Sequence, residues 1–261
     1  MAFITGSANG IGRATAWQFA REGAHVAIVD LNLEEAQTVA DQIDELIGRG
    51  TALTIQCDVS DEKAVQDAFS KTIQQFGGVD IVVSNAGFGL AKSITDTELK
   101  DWNRVQGVLG TGYFLVSREA FKTWIRQGTG GNLIFVCSKN SVRAGKDVAT
   151  YSAAKASELH LARCLAEEGG QYHIRVNSVL PDAVLRGSTL FAGQFATGRA
   201  AAYGIKPDEL QDYYIQRTTL KVPVYPEDVA EAIVFFASER SSRTTGGALT
   251  VDGGVSAAYL R

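Results

Sequence analysis

Seven short apolar runs alternate with stretches of helical periodicity, and this alternation constrains the fold more than any other feature. The runs are Ala2-Phe3-Ile4, Ala24 to Val29, Ala52 to Cys57, Ile81-Val82-Val83, Leu133 to Cys137, Ile174 to Val179 and Ala248 to Val251. Their near-continuous apolarity suits strands buried on both faces, hence a parallel sheet; a half-solvated sheet would alternate apolar with polar. After Asn32, a candidate N-cap with Glu35 three residues on, Ala36, Val39, Ala40, Ile43 and Leu46 recur at helical spacing. After Ser60, Val65, Ala68, Phe69 and Ile73 do the same, and Glu98 to Arg126 and Tyr151 to Glu168 are longer helical stretches. The pattern implies an α/β fold: a doubly wound, seven-stranded parallel sheet with helices on both faces and right-handed crossovers. No linker, repeat or low-complexity tract divides residues 1–261, which read as one domain. The least regular segment, 182–222, would overhang the strand C-terminal ends, where ligands bind in this class.

The turn after the first run is rich in glycine. Thr5-Gly6-Ser7-Ala8-Asn9-Gly10-Ile11-Gly12 ends a strand and opens a helix. Glycines there permit a tight turn and bring a pyrophosphate against backbone N–H groups at the helix N-terminus. Asp30 closes the second run about 20 residues on, where an acid accepts hydrogen bonds from an adenosine ribose; otherwise it is an ordinary strand-end cap. No Lys or Arg follows it directly, and none lies among Ser7, Ala8 and Asn9. A 2′-phosphate would meet a carboxylate without a cation, so NAD is favoured over NADP.

Composition removes other classes. Net charge is −4 and pI near 5.5, which argues against nucleic acid as the main partner. No run of about 18 apolar residues could cross a membrane, and no secretory signal pattern is visible. Cys57, Cys137 and Cys164 are widely spaced in apolar stretches and read as buried, reduced thiols of a cytoplasmic protein. The three His, His25, His160 and His173, are scattered, so neither a metal site nor a Ser-His-Asp triad is expected.

The sequence resembles the short-chain dehydrogenase/reductase family over essentially its whole length. The residues that carry the likeness are Thr5 to Gly12, Asn85-Ala86-Gly87 after the fourth run, Ser138 thirteen residues before Tyr151, the Tyr151/Lys155 pair, and Asp252-Gly253-Gly254. The resemblance implies a Rossmann-like domain with Ser138, Tyr151 and Lys155 as the catalytic set. It implies cofactor contacts at Gly6, Gly10, Ile11, Gly12, Asp30, Asp58, Val59, Asn85, Ala86, Gly87, Tyr151, Lys155, Pro181 and Val184. Asp58 alternatively caps the approach to a helix. Asn177 to Phe191 and Tyr203 to Leu210 are similar to the dehydrogenase half of bifunctional rhamnulose-phosphate aldolase/short-chain dehydrogenase proteins. That likeness implies a lactaldehyde-type substrate. It also matches the start of the chain, where only four residues precede Thr5 and the first strand reads as clipped, as in a dehydrogenase half standing without its aldolase.

The chemistry is readable in the residues. Tyr151 and Lys155 stand four apart and share a helix face. A nearby ammonium and an oxidised nicotinamide both favour phenolate. Tyr151 then serves as general base for alcohol oxidation and general acid for carbonyl reduction. Ser138 would hydrogen-bond the substrate oxygen as charge develops there. Three positions depart from the family. Leu109 stands where many members carry an Asn that supports the catalytic Lys through a water. Pro181-Asp182 replaces the usual Pro-Gly, and Arg186 falls where a Thr near the cofactor amide is common, with Ser188 and Thr189 shifted downstream.

The substrate wall is expected from Phe88, Lys139, Asn140, Arg143, Asp182, Arg186 and the 187–215 segment, unless Lys139 and Arg143 are solvated loop charges. A small polar alcohol, aldehyde or sugar-derived substrate follows, with aldehyde oxidation a further option. Two other functions share the fold: a halohydrin-lyase-like activity without nicotinamide, and a non-catalytic NAD-binding or scaffold protein. Relatives commonly form homotetramers or dimers through the two long helices, where Ala153, Ala154 and Ala156 would allow close packing.

Overall fold

The computed structural model describes residues 1–191 and 193–259. Its seven strands are β1 (Ala2–Thr5), β2 (Val26–Asp30), β3 (Ala52–Gln56), β4 (Ile81–Ser84), β5 (Gly131–Val136), β6 (Ile174–Pro181) and β7 (Ala248–Val251). They form one parallel sheet in the order β3-β2-β1-β4-β5-β6-β7. The order reverses between β1 and β4, and a crevice opens there outside the strand C-termini.

Successive strand residues point to opposite faces, so each strand feeds two cores. Phe3, Val82 and Phe135 pack with α3 (Glu62–Phe76), α4 (Leu99–Gln106), α5 (Tyr113–Gln127) and α6 (Ala149–Gly169). Ala2, Ile4, Val83 and Ile134 pack with α1 (Gly10–Arg21), α2 (Leu33–Leu46) and α9 (Pro226–Ala237). Asn32 caps α2, its Oδ1 accepting from Glu35 N at 3.2 Å. The next cap is Asp61 rather than Ser60, its carboxylate accepting from Ala64 N at 2.8 Å.

Four features depart from the sequence expectations. The stretch from Glu98 to Arg126 is not one regular helix: a π-helical turn, Gly107–Gly112, separates α4 from α5. The segment 182–222 is largely helical, containing α7 (Gln194–Tyr203) and α8 (Leu210–Gln216), with a small core of Ala200, Leu210 and Tyr214. Ala192 within it lies outside the described residues. Helix α9 went unread, although Pro226 in its first turn and Asp228, which accepts from Tyr225 N at 2.8 Å, mark its start. Cys57 and Cys137 are buried, but Cys164 is exposed. Position 164 falls on the outer side of α6, opposite the buried Leu159, Ala162 and Ala166.

Candidate active site

A cleft of about 570 Å³ runs along the C-terminal edge of the sheet. The glycine turn forms one side. Gly6 (φ 63°) and Gly10 (φ 52°) hold left-handed conformations that disfavour a side chain. A Cβ on Gly6 would lie 2.7 Å from Ala86 Cα. A Cβ on Gly12 would strike the Gly6 carbonyl and come within 2.6 Å of Asn85 Nδ2. Asn85 ties the turn to β4: its Nδ2 donates to Thr5 O at 2.8 Å and Gly6 O at 2.9 Å, and its N–H donates to Thr5 Oγ1 at 2.9 Å. Asn9, the N-cap of α1, makes no side-chain cap bond. The first N–H groups of α1 thus have no side-chain partner at the cap and can receive an anion. This turn, packed too tightly for side chains at Gly6 and Gly12 and opening onto the free N–H groups of α1, fits a dinucleotide pyrophosphate.

Asp30 stands at the end of β2 and lines the same cleft. Its carboxylate accepts from Ala8 N at 2.9 Å and Asn32 N at 3.0 Å, so the turn itself orients it. Asp58 and Val59 line the cleft after β3. Asp58 also closes a turn, accepting from Ser60 N at 2.9 Å and Ser60 Oγ at 2.7 Å. Gly6, Gly10, Ile11, Asn85, Ala86, Gly87, Pro181 and Val184 complete this part of the lining. Gly12 is absent from it; its place is the tight packing of α1 against the turn.

Ser138, Tyr151 and Lys155 line the other end and are all nearly fully buried. Ser138 follows β5, and its Oγ accepts from Asn140 N at 3.1 Å, which fixes the hydroxyl at the strand end. Burial pushes the Tyr151 phenol above its ordinary value, while the Lys155 ammonium and the Ser138 hydroxyl pull it back. Glu158 and Asp182 oppose that pull.

The surroundings of Lys155 were not legible from the family pattern. Its Nζ donates to Glu158 Oε2 at 2.9 Å, to Val136 O at 2.9 Å and to Tyr113 OH at 3.3 Å. Tyr113 OH in turn donates to Val136 O at 2.9 Å. Glu158 is 1% exposed, and its Oε1 has no partner among the described residues. Burial pushes its carboxyl up to about 8, against the pull of Lys155. The ammonium is held well above its ordinary value: Glu158, Tyr113 and Tyr151 outweigh the cost of its burial. The signal for Glu158 was present in the sequence, since residues 151, 155 and 158 follow the i, i+4, i+7 pattern of one helix face. Leu109 sits fully buried in the π-helical turn, and a Cβ on Gly87 would lie 2.9 Å from its Cδ2. It packs beneath the Asn-Ala-Gly element, while Lys155 takes its polar contacts elsewhere.

The wall of the cleft differs from expectation at two arginines. Phe88, Lys139, Asn140 and Asp182 line the cleft, and the 187–215 segment contributes Ser188, Thr189, Phe191, Phe195, Arg199 and Tyr214. Arg143 does not line it. Nor does Arg186, which pairs with Glu227 and stacks over Tyr225 at 4.2 Å on the outer surface. Lys139 is no solvated loop charge: its side chain is 6% exposed and its Nζ lies 3.5 Å from Asp182 Oδ1. Asp182 also accepts from Arg217. The carboxylate that replaces the family glycine therefore has a local role, neutralising cations at the end of β6. Arg199 falls in the 187–215 segment expected at the wall, but nothing in that irregular sequence singled it out.

A family model described as Enoyl-(Acyl carrier protein) reductase matches residues 6–256. An uncharacterized oxidoreductase of Bacillus subtilis is 54% identical over 261 residues, covering all of this chain. The chain spans 38% of that relative's length. A short-chain dehydrogenase/reductase of Armillaria gallica is 36% identical, over 98% of this chain and 95% of its own. Among solved structures, the sorbitol-6-phosphate 2-dehydrogenase of Erwinia amylovora superposes with a TM-score of 0.93 at 31% identity, covering 100% of both chains. A 3-ketoacyl-(acyl-carrier-protein) reductase of Brucella melitensis, complexed with NADH, gives 0.86 at 30% identity over 98% and 97% of the chains. With an oxidoreductase fold, a glycine-cradled cleft and this extent of likeness, the chain belongs to the short-chain dehydrogenase/reductase family.

Proposed function

We propose that this chain is an NAD-dependent dehydrogenase acting on a small polar alcohol or its carbonyl, of lactaldehyde, polyol or sugar origin. The observation that carries the reading is the convergence of Ser138, Tyr151 and Lys155 at one end of a cleft whose other end holds Asp30 and the glycine turn. Bound nicotinamide supplies or accepts the hydride. Gly6, Gly10, Ile11, Asn85, Ala86 and Gly87 would hold it, with Asp30 on the adenosine ribose, Asp58 and Val59 at the adenine, and Pro181 and Val184 beside the nicotinamide. Gly12 supports the turn from behind. The Asp30 carboxylate, without an adjacent cation, favours NAD over NADP.

In this reading Ser138 Oγ donates to the substrate oxygen, and the Tyr151 phenolate oxygen takes the alcohol proton during oxidation, while the Tyr151 phenol returns it during reduction. Lys155 favours the phenolate, and to hold the nicotinamide ribose its ammonium would exchange one of its three contacts, of which Tyr113 OH at 3.3 Å is the longest. Phe191, Phe195 and Tyr214 pack edge to face above the site, Phe191 with ring centroids 5.4 Å from Phe195 and 5.8 Å from Tyr214. Such a wall excludes water and limits substrate size. The sorbitol-6-phosphate 2-dehydrogenase neighbour supports a polyol-type substrate. The likeness to aldolase-linked dehydrogenases supports lactaldehyde. The proposal includes a cytoplasmic homo-oligomer.

The test is NADH absorbance over a panel of polyols, hydroxy-aldehydes and hydroxy-acids, with NAD and NADP compared. Tyr151→Phe should lower turnover at least about 100-fold, the scale of a lost general acid–base, while leaving NADH affinity intact. Unchanged turnover in that variant sinks the mechanism. NADH binding without turnover of any substrate would favour the non-catalytic reading.

A further inference from the structure

The substrate end of the cleft carries an unbalanced charge. Two cations, Lys139 and Arg199, line it with one carboxylate, Asp182, and a third, Arg217, pairs with that carboxylate from outside the lining. Asp182 is already engaged by Lys139, at 3.5 Å, and by Arg217. Arg199 is 3% exposed and forms no ion pair among the described residues. Its donors go to neutral oxygens: Lys146 O, Tyr203 OH, and Tyr214 OH at 3.5 Å. Three of its five N–H groups are used, leaving two. A buried guanidinium without a counter-ion is costly, and a bound anion would offset that cost.

The location fits a substrate and not the dinucleotide phosphates. The glycine turn follows β1, whereas Lys139 follows β5, Asp182 follows β6 and Arg199 rides on α7, which covers the substrate end. Arg199 reaches the turn that bears Lys139: a Cβ on Gly145 would lie 3.6 Å from Asn140 Nδ2 and 3.7 Å from Arg199 Nη2. Lys139 directly follows Ser138, so its ammonium sits one residue from the group assigned to the reacting oxygen. Burial also pulls Lys139 below its ordinary value, and Arg217 and Arg199 add to that pull while Asp182 resists it. An anion between Lys139 and Arg199 would relieve both cations.

Resting on the dehydrogenase reading, we propose that the substrate carries an anionic oxygen group, a carboxylate or a phosphate, held by Lys139 and Arg199 within reach of Ser138 and Tyr151. Arg199 then sets selectivity for charged over neutral hydroxy compounds. Arg217 holds Oδ2 of Asp182, so that only the longer contact of Oδ1 with Lys139, at 3.5 Å, competes with the anion.

The test needs no turnover. The NADH complex is titrated calorimetrically with inorganic phosphate, sorbitol 6-phosphate, lactate and, as neutral control, sorbitol. Binding of the charged probes with sorbitol weaker is expected. Preference for the two phosphates assigns a phosphorylated substrate; preference for lactate assigns a carboxylate. Arg199→Met should weaken the charged probes about tenfold or more, as loss of one partner from a desolvated charge contact does, with NADH affinity retained. Arg199→Lys should recover part of the loss. Where Arg199→Met fails to fold, Lys139→Met carries the same expectation. Equal binding of charged and neutral probes, or charged-probe affinity unchanged in the variants, overturns the proposal. Anion binding without oxidation of any panel substrate upholds the site and fails the dehydrogenase reading. Oxidation of neutral polyols without anion binding does the reverse.

Discussion

Glu158 alters the electrostatics of the proposed proton-transfer site from within its helix. Its carboxylate lies 2.9 Å from Lys155 Nζ and opposes the pull of that ammonium on Tyr151. Tyr113, Tyr151 and Cys137 also face the pair, and burial pushes Tyr113 and Cys137 up, keeping both neutral near pH 7. Above about pH 8, where the raised Glu158 carboxyl is ionised, removing its negative charge leaves the ammonium's field on Tyr151 less compensated, which lowers the phenol's proton affinity. In Glu158→Gln, therefore, the rise of oxidation rate with pH should move to lower pH. Phenolate is the form that accepts the proton, so the sign is fixed. A pH–rate profile checks it, and an unmoved limb would reduce Glu158 to a packing role. The same variant leaves Lys155 buried without its carboxylate and should lose about 3 kcal/mol or more in urea unfolding.

Elements show where sequence reasoning works and where it fails. The seven strands were legible as short, near-continuous apolar runs, and helices α2, α3 and α6 by the helical spacing of their apolar residues. The Asp61 cap of α3 is of this local kind. Asp61→Ala should cost about 1 kcal/mol in chemical denaturation, the usual value of a side-chain N-cap. The helices α7 and α8 were not legible. They pack on each other and on the cleft through Ala200, Leu210 and Tyr214, so their residues follow no sheet-facing stripe. The cleft's glycines and Ser138, Tyr151 and Lys155 were readable by motif, but the groups that hold Lys155 come from three elements, which spacing alone cannot join. The π-helical turn is the sharpest case. It places Leu109 in the core under Gly87, where an amide would have to be buried. Leu109→Asn, which installs the common family residue, should destabilise the protein by about 2 kcal/mol or more through lost packing and a buried polar group. It should not raise kcat, because Lys155 already has three polar contacts. A gain in kcat would show that the relay through this position is missing rather than replaced.

At the scale of the whole molecule the open question is what covers the outer face of α5. Among the described residues no helix is long and apolar enough to cross a membrane. Yet Phe114 and Ile125 are each 46% exposed, and positions 114, 118, 121 and 125 follow helical spacing along one side of α5. Arg118 lies over Phe114 at 5.3 Å, so its charge edges the stripe without covering it. Helix α6 runs alongside with Ala153 and Ala156 exposed, small enough for a second backbone to approach, whereas Ala154 points into the core. An apolar stripe beside a small-residue face is self-complementary, and two copies related by a two-fold axis would bury both at once. A stable contact of this kind needs on the order of 1,000 Å² in total, which paired helices of this length can provide. The expected mass by light scattering is therefore a dimer or a multiple of it. Phe114→Glu, which puts a charge into the apolar stripe, should shift the mass toward one chain and lower the melting temperature in a concentration-dependent way. The side chain points away from the cleft, so NADH affinity measured on the dissociated protein should be retained; a wild-type chain that runs as a monomer at micromolar concentration would remove α5 as an interface.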